Sequence, residues 1–470
     1  MTAVCRAWRN LALDAPLVWR HIQLFARTSI FGSPVRSNIL TIQPAIQRSG
    51  NAPLHVTIDF TVDVSHRDVP HSFKAVLVDF ATYLEPETSR ISTLTVNADN
   101  AGVVCVFWAA LGHAAGRDNS PQLQGLRTIT CRFSGSEDSE RAQFDADGSN
   151  WQAYSPSWYN PPHLTTLNAP CGLFAFSVGS LGHPNLTHLT IGIRTAVQIA
   201  DIMACGTIRT ARLLLRYYDF KYEVPRLVEL PHRAQELDFL HFEQLPWQLE
   251  SASRDEEYEQ SVLDRAEEHR LLAWRALLWP RAARVLQFTY DLESDGVQTP
   301  PDLVMSIFAD FAKDTRLALI FSIGEMITIT VAEVDDANSV TAPFEETLGR
   351  RRAVAFHLET LHDALSSLQP NLCVNQVRAV RVEIADVEET HWDDELLSSF
   401  GPLDWATRFM ISATSRESIA CPLRSSQLGD WQKMLPAIDA ISLRVHRDNR
   451  TVEEWEFEGW EQAASTLHGA

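Results

Sequence analysis

The chain has 470 residues, 45% apolar and 21% charged, an ordinary balance for a folded protein with room for two or three domains or one elongated array. Its net charge of −20 argues against a general nucleic-acid binder, which needs a basic footprint. Seven cysteines with no Cys-x-x-Cys pair suggest neither a zinc site nor a disulfide framework.

The charge is unevenly spread. Residues 1–50 carry six Arg against one acidic residue, so the remainder holds about −25. The N-terminus lacks the apolar run of a signal peptide. The most apolar uncharged stretch, Ala101 to Gly116, is too short to span a membrane and contains His113. A cytoplasmic or nuclear location, with no membrane partner, is the expectation.

At the N-terminus, Val4, Trp8, Leu11 and Ala12 recur at i, i+4, i+7, i+8, one face of a short helix. Asp14 and Pro16 stop it, because the residue before proline is pushed out of helical geometry. Leu17, Trp19 and Ile22 then form a second apolar cluster. An ordinary helical hairpin capping the next domain has this composition too. The ordered string Val-Cys-x-x-Trp-x-x-Leu-Ala, a proline, then Leu-x-Trp-x-x-Ile resembles the last helices of F-box proteins, especially those of mushroom-forming fungi. Arg48-Ser49-Gly50-Asn51-Ala52-Pro53-Leu54 is similar to a junction in that same group.

The resemblance implies that residues 1–28 are a partial, helical F-box-like segment. It also implies contacts to the Skp-family adaptor of cullin–RING ubiquitin ligases through Val4, Trp8, Leu11, Pro16, Leu17, Trp19 and Ile22. The Leu-Pro-x-Glu-type helix that opens such boxes has no counterpart after Met1. Two alternatives follow, a start lying upstream or a relative that has lost the adaptor contact.

Further on, Leu54-Val56-Ile58-Phe60 alternates as a strand. Phe73, Val76, Leu77, Phe80 and Leu84 space as a helix between Pro70 and Pro86, and Ile91–Val96 returns as a strand. An apolar triplet with spacings of three and two recurs along the chain. It occurs at Ile91-Leu94-Val96, Leu126-Ile129-Cys131, Leu164-Leu167-Ala169, Leu186-Leu189-Ile191 and Ile208-Ala211-Leu213. It returns at Ala234-Leu237-Phe239, Ala283-Leu286-Phe288, Val377-Val380-Val382 and Ile438-Ile441-Leu443. A residue turned inward followed by a short period-2 strand has this spacing. Further helix candidates are Val103–Leu111, Ser261–Leu278, Asp302–Phe311, Ala355–Leu368 and Asp430–Leu435.

The triplets resemble the degenerate leucine-rich-repeat region of many F-box proteins, without the asparagine that follows each strand in regular repeats. The expected fold is therefore α/β, a leucine-rich-repeat-like solenoid of short parallel strands backed by helices, after a small helical F-box remnant. Residues 29–298 form the array, with a polar insertion at 134–162 that carries Trp151, Trp158 and Tyr159. Residues 299–470 form a looser continuation. Within that continuation, Leu317–Ser322 and Ile327–Val331 read as a hairpin around Gly324. A single repeat cannot bury its own apolar face, so the strands stack and leave one sheet face free for a partner. His188, Thr190, Glu236, Asp238, Arg284, Arg378 and Arg381 are the target-side candidates.

Chemistry is not written in this chain. His357 and His362 are five apart and diverge around a helix, unlike the metal-binding pair of His-Glu-x-x-His. Gly179-Ser180-Leu181-Gly182 lacks the spacing of a nucleophile elbow, and no phosphate-cradling glycine loop occurs. The expectation is a non-enzyme without cofactor or metal. It would be a substrate-recognition subunit of an SCF-type ubiquitin ligase that binds a target protein on the array. The alternative is a leucine-rich-repeat-like interaction scaffold with no ligase connection.

Overall fold

The computed structural model describes residues 13, 15–28, 35–62, 71–98, 107, 111, 123–133, 161–169, 185–193, 202, 205–215, 237–244, 283–290, 306–309, 311–324, 326–334, 348–357, 372, 374–384, 402–404, 406–415, 425–447, 450–460 and 462–463. By internal packing the chain divides into Met1–Arg233 and Ala234–Ala470. Each unit is mixed α/β, with a mostly parallel sheet and few helices among the described residues.

The first unit contains β1 (His21–Thr28), β2 (Arg36–Ser37), β3 (Leu54–Val62), β4 (Ile91–Ala98), β5 (Thr128–Phe133), β6 (Thr166–Ala169), β7 (His188–Ile193) and β8 (Thr210–Leu215). The short β2 pairs antiparallel with β1. From β1 the sheet runs parallel through β3, β4, β5, β6, β7 and β8. The triplet explains this register. Its first apolar residue turns in just before the strand, and the next two sit two residues apart on one face. Across the sheet Ile22, Val56, Leu94, Ile129, Leu167, Leu189 and Ala211 align in one buried row. Each fully buried aliphatic side chain contributes roughly 1.5–3 kcal/mol.

A hydroxyl ladder ties neighbouring strand starts together. Ser92 Oγ donates to the Leu54 carbonyl at 3.0 Å, Thr165 Oγ1 to Arg127 at 3.1 Å, and Thr187 Oγ1 to Thr165 at 3.1 Å. Each of these residues directly follows a triplet's first apolar position. They satisfy backbone carbonyls at the sheet margin.

Helix α1 (Ile39–Arg48) buries Ile42 and Ile46, one turn apart, despite Pro44 in its interior. Gly50, at φ +53°, ends it. Helix α2 (His71–Leu84) is the expected helix between β3 and β4. It buries Phe73, Leu77, Phe80 and Leu84, and the Phe73 ring meets Phe60 of β3 edge-on at 5.5 Å. Phe107 lies 6.1 Å from Phe80 and 6.3 Å from Phe60.

The second unit contains β9 (Phe239–Gln244), β10 (Val285–Tyr290), β11 (Leu317–Ile323), β12 (Met326–Val334), β13 (Leu348–His357), β14 (Val377–Ile384), β15 (Arg408–Ala413), β16 (Ala440–Arg447) and β17 (Arg450–Phe457). The order across its sheet is β9-β10-β13-β12-β11-β14-β15-β16-β17. β12 runs antiparallel to both neighbours, and β17 runs antiparallel to β16; the other pairings are parallel. The hairpin expected around Gly324 is β11–β12. β13 then extends the meander backwards to lie beside β10. Helix α3 (Ser425–Met434) precedes β16 and contains the start of the expected 430–435 segment.

Four readings need correction. The triplet proposed at Ala234-Leu237-Phe239 is set three residues later, at Leu237, Leu240 and Phe242, all buried, while Phe239 lies on the other face. Ala355–His357 end β13 and so cannot open a helix over 355–368. Residues 21–28, placed in the helical N-terminal segment, form β1, because His21 to Ala26 alternate exposed and buried with period 2. Strands β9 and β10, assigned by pattern to the array of 29–298, pack with the later strands. Of the expected 302–311 helix, a 3-10 turn at Ser306–Ala309 is described. The 261–278 helix lies outside the described residues, as does the insertion over 134–160.

Candidate interaction surfaces

On the strands of the first unit the residues between the buried ones point to the opposite face. Register lines them up in two rows. One reads His21, His55, Thr93, Thr128, Thr166, His188, Thr210, and the other Gln23, Thr57, Thr95, Thr130, Asn168, Thr190, Arg212. Every member is exposed or half-buried. Threonine suits this position twice over, since its branched Cβ favours strands and its hydroxyl keeps the surface wet.

A hydrogen-bonded cluster stands at the β1 side of the face. Asp59 accepts from Gln23 Nε2 at 2.6 Å and from Asn97 Nδ2 at 2.5 Å. His21 and His55 stack, and His55 Nδ1 lies 3.0 Å from Thr93 Oγ1. Partial burial first, then the charges of His21 and Arg20, hold the His55 imidazole below its ordinary pKa of 6.5.

Two of the target-side candidates, His188 and Thr190, lie on this face. His188 is exposed, with Nδ1 2.8 Å from Thr187 Oγ1. Two more, Asp238 and Arg284, are exposed and adjacent at the starts of β9 and β10, where Arg284 N donates to the Leu237 carbonyl at 2.8 Å. Arg378 is half-buried and its Nη1 donates to the Asn375 carbonyl at 2.8 Å. Arg381 does not face outward. It is 6% exposed and forms an ion pair with Glu383 at 2.8 Å. Both faces of β14 are largely covered, so alternation there does not produce a wet side. Glu236 lies outside the described residues.

The adaptor-side candidates separate in the same way. Val4, Trp8 and Leu11 lie outside the described residues. Pro16, Leu17 and Trp19 belong to a 3-10 turn, Pro16–Trp19, in which Leu17 and Val18 are 61% and 60% exposed. Trp19 is half-buried, with the Arg48 guanidinium carbon 4.8 Å from its ring centroid. Ile22 is buried in the sheet at 1% exposure and is no surface contact.

Sequence reasoning missed most of the open face. The signal was present as Thr-Leu-Thr at 93–95, Thr-Ile-Thr at 128–130, Thr-Leu-Asn at 166–168 and His-Leu-Thr at 188–190. Among the described residues no group of three or more His, Cys, Asp or Glu is placed to hold a metal ion. No helix among them is long and apolar enough to cross a membrane. Compared with protein-family models and with curated proteins, the chain matches none.

Proposed function

We propose that this chain is a substrate-recognition subunit of an SCF-type ubiquitin ligase, built as an F-box-like N-terminal segment followed by a leucine-rich-repeat-like array. The N-terminal turn docks on the Skp-family adaptor, and the open strand face holds a target protein. Such a protein performs no bond chemistry. It acts by holding its target at high effective concentration beside the catalytic subunit.

The exposed pair Leu17 and Val18 carries this reading. Two large aliphatic side chains, adjacent on a proline-started turn and exposed, offer the apolar contact that such docking uses. They fall within the string that resembles an F-box. The test is co-elution of the purified chain with a recombinant Skp-family adaptor on size-exclusion chromatography. A complex forms with the natural chain and is lost with Leu17→Asp and Val18→Asp combined, while the variant's melting temperature stays unchanged. Absence of any complex with the natural chain rejects the ligase assignment and leaves an interaction scaffold that uses the open face alone.

A further inference from the structure

We infer that the partner held on the open face of the first unit is an acidic, extended polypeptide segment; this rests on reading that face as the target-binding surface. The chain carries −20 overall. Yet the charged side chains on this face, among the described residues, are Arg27, Arg36, Arg132 and Arg212, with Asp59 the one carboxylate. The Asp59 carboxylate already accepts from Gln23 and Asn97, which disperses its charge. All four arginines are exposed, Arg36 standing beside Arg27 at the margin of the sheet. A local cationic surface on a strongly acidic protein selects anions by position rather than by net attraction.

Their placement sets the geometry of the ligand. Arg27 stands on β1, Arg132 on β5 and Arg212 on β8, each three strand steps from the next. Arg27 pairs with Thr61, one row beyond the row of Asp59, Asn97 and Arg132. Arg212 lies one row nearer the strand starts, level with Thr130. The three therefore mark an oblique line across the face. With strands ~4.8 Å apart and ~3.3 Å per residue along them, successive arginines stand about 16 Å apart. An extended peptide covers that span in about five residues. Between the arginines lie hydroxyl and amide groups, so the segment that fits carries acidic residues about five apart with polar residues between.

Two other anions fit less well. Nucleic acid places a phosphate at every nucleotide and draws its affinity from many cations, whereas the described part of this face offers four on a protein of −20. An anionic glycan also lacks aromatic planes to stack on, since Phe25 is the one non-histidine ring on the described part of the face.

The test uses the full chain without adaptor and follows fluorescence anisotropy of a labelled peptide. The peptide carries three aspartates spaced by runs of serine, about eleven residues in all. Its asparagine counterpart and a single-stranded oligothymidylate are run beside it. The aspartate peptide is expected to bind at least about tenfold tighter than the asparagine one and to weaken with salt. Arg132→Glu with Arg212→Glu abolishes that preference. Arg132→Gln with Arg212→Gln, a milder pair whose fold is checked by thermal melting, reduces it, and Arg284→Glu in the second unit leaves it intact. Equal binding of the two peptides, tighter binding of the oligonucleotide, equal loss with Arg284→Glu, or no binding of any probe overturns the inference. Because no adaptor is present, a failed co-elution with the adaptor leaves this result standing. A failed peptide titration likewise leaves the adaptor contact standing.

Discussion

The imidazole rings of His21 and His55 stack, their centroids 4.8 Å apart and their planes 16° from parallel. Register sets them side by side on β1 and β3, and Arg20 Nε donates to His21 Nε2 at 3.1 Å. A proton on His55 thus meets a partly desolvated site and cationic neighbours, which is why its pKa falls below 6.5. The unfolded chain binds that proton more readily than the fold does. The site's contribution to stability is therefore complete above pH 6.5 and is lost as pH falls from there through the lower folded value. Titration of the His55 ring resonances by NMR is expected to give a midpoint under 6.5 that rises toward it in His21→Ala. A midpoint above that value would refute the electrostatic account.

Asp59 joins three strands by accepting from Gln23 on β1 and Asn97 on β4. Asp59→Ala removes both acceptors and leaves two amides to be solvated. Because the site is half-exposed, water restores part of what is lost. Urea unfolding is expected to show a loss of about 1–2 kcal/mol. No loss would mean that the cluster orders the face without stabilising it.

Two glycines predict opposite outcomes. A Cβ on Gly125 would run into the backbone carbonyl oxygens of Ser89 and Ile91. Gly125→Ala is expected to cost roughly 1–3 kcal/mol, as overpacking does elsewhere. Gly429, inside α3, has nothing within 4 Å of the same position. Gly429→Ala should stabilise by about 0.5–1 kcal/mol, because alanine gives up less backbone freedom in a helix. Thermal melts of the two variants decide both.

In the second unit Phe409 of β15 lies 4.7 Å from the Trp431 ring of α3 and 5.3 Å from that of Trp460. Trp431 is 1% exposed, so Trp431→Ala should cost roughly 3–5 kcal/mol. Trp460 Nε1 donates to the Leu435 carbonyl at 3.1 Å, and Trp460→Phe, which keeps an aromatic ring but not the donor, should cost about 1 kcal/mol. Equilibrium unfolding that ranks these two in the reverse order would rule out this packing.

Much of the sheet is legible in the sequence because burial repeats with fixed spacing. Leu126-Ile129-Cys131, Leu164-Leu167-Ala169 and Leu186-Leu189-Ile191 are buried as their spacing predicts, and Gly324 marks a real hairpin. The reading fails where apolar residues occupy both faces. Phe239 mimics a core position at β9 and shifts the triplet frame. Ala406, Phe409 and Ile411 form a further buried triplet at β15 that went unrecognised behind small and mixed side chains. Arg381 shows the converse error, since a charged residue on a strand covered on both sides takes an ion pair instead of solvent. Helix α1 stays hidden because Pro44 argues against a helix in any local reading, while Ile42 and Ile46 hold it through packing. The open face was half-legible. Its individual threonines look like ordinary polar alternation until pairing aligns them.

The backward meander of the second unit sets an order of assembly. In the first unit each parallel strand from β3 onward joins the one made before it, so a chain emerging from the ribosome always has a template ready. β10 has no such luxury on one side. Its neighbour there is β13, and the stretch from Leu317 to Val334 must first fold on itself before Leu348–His357 can close the gap. A β10 that lacks β13 would present the unpaired N–H and C=O groups of an edge strand, a template on which another chain can pair.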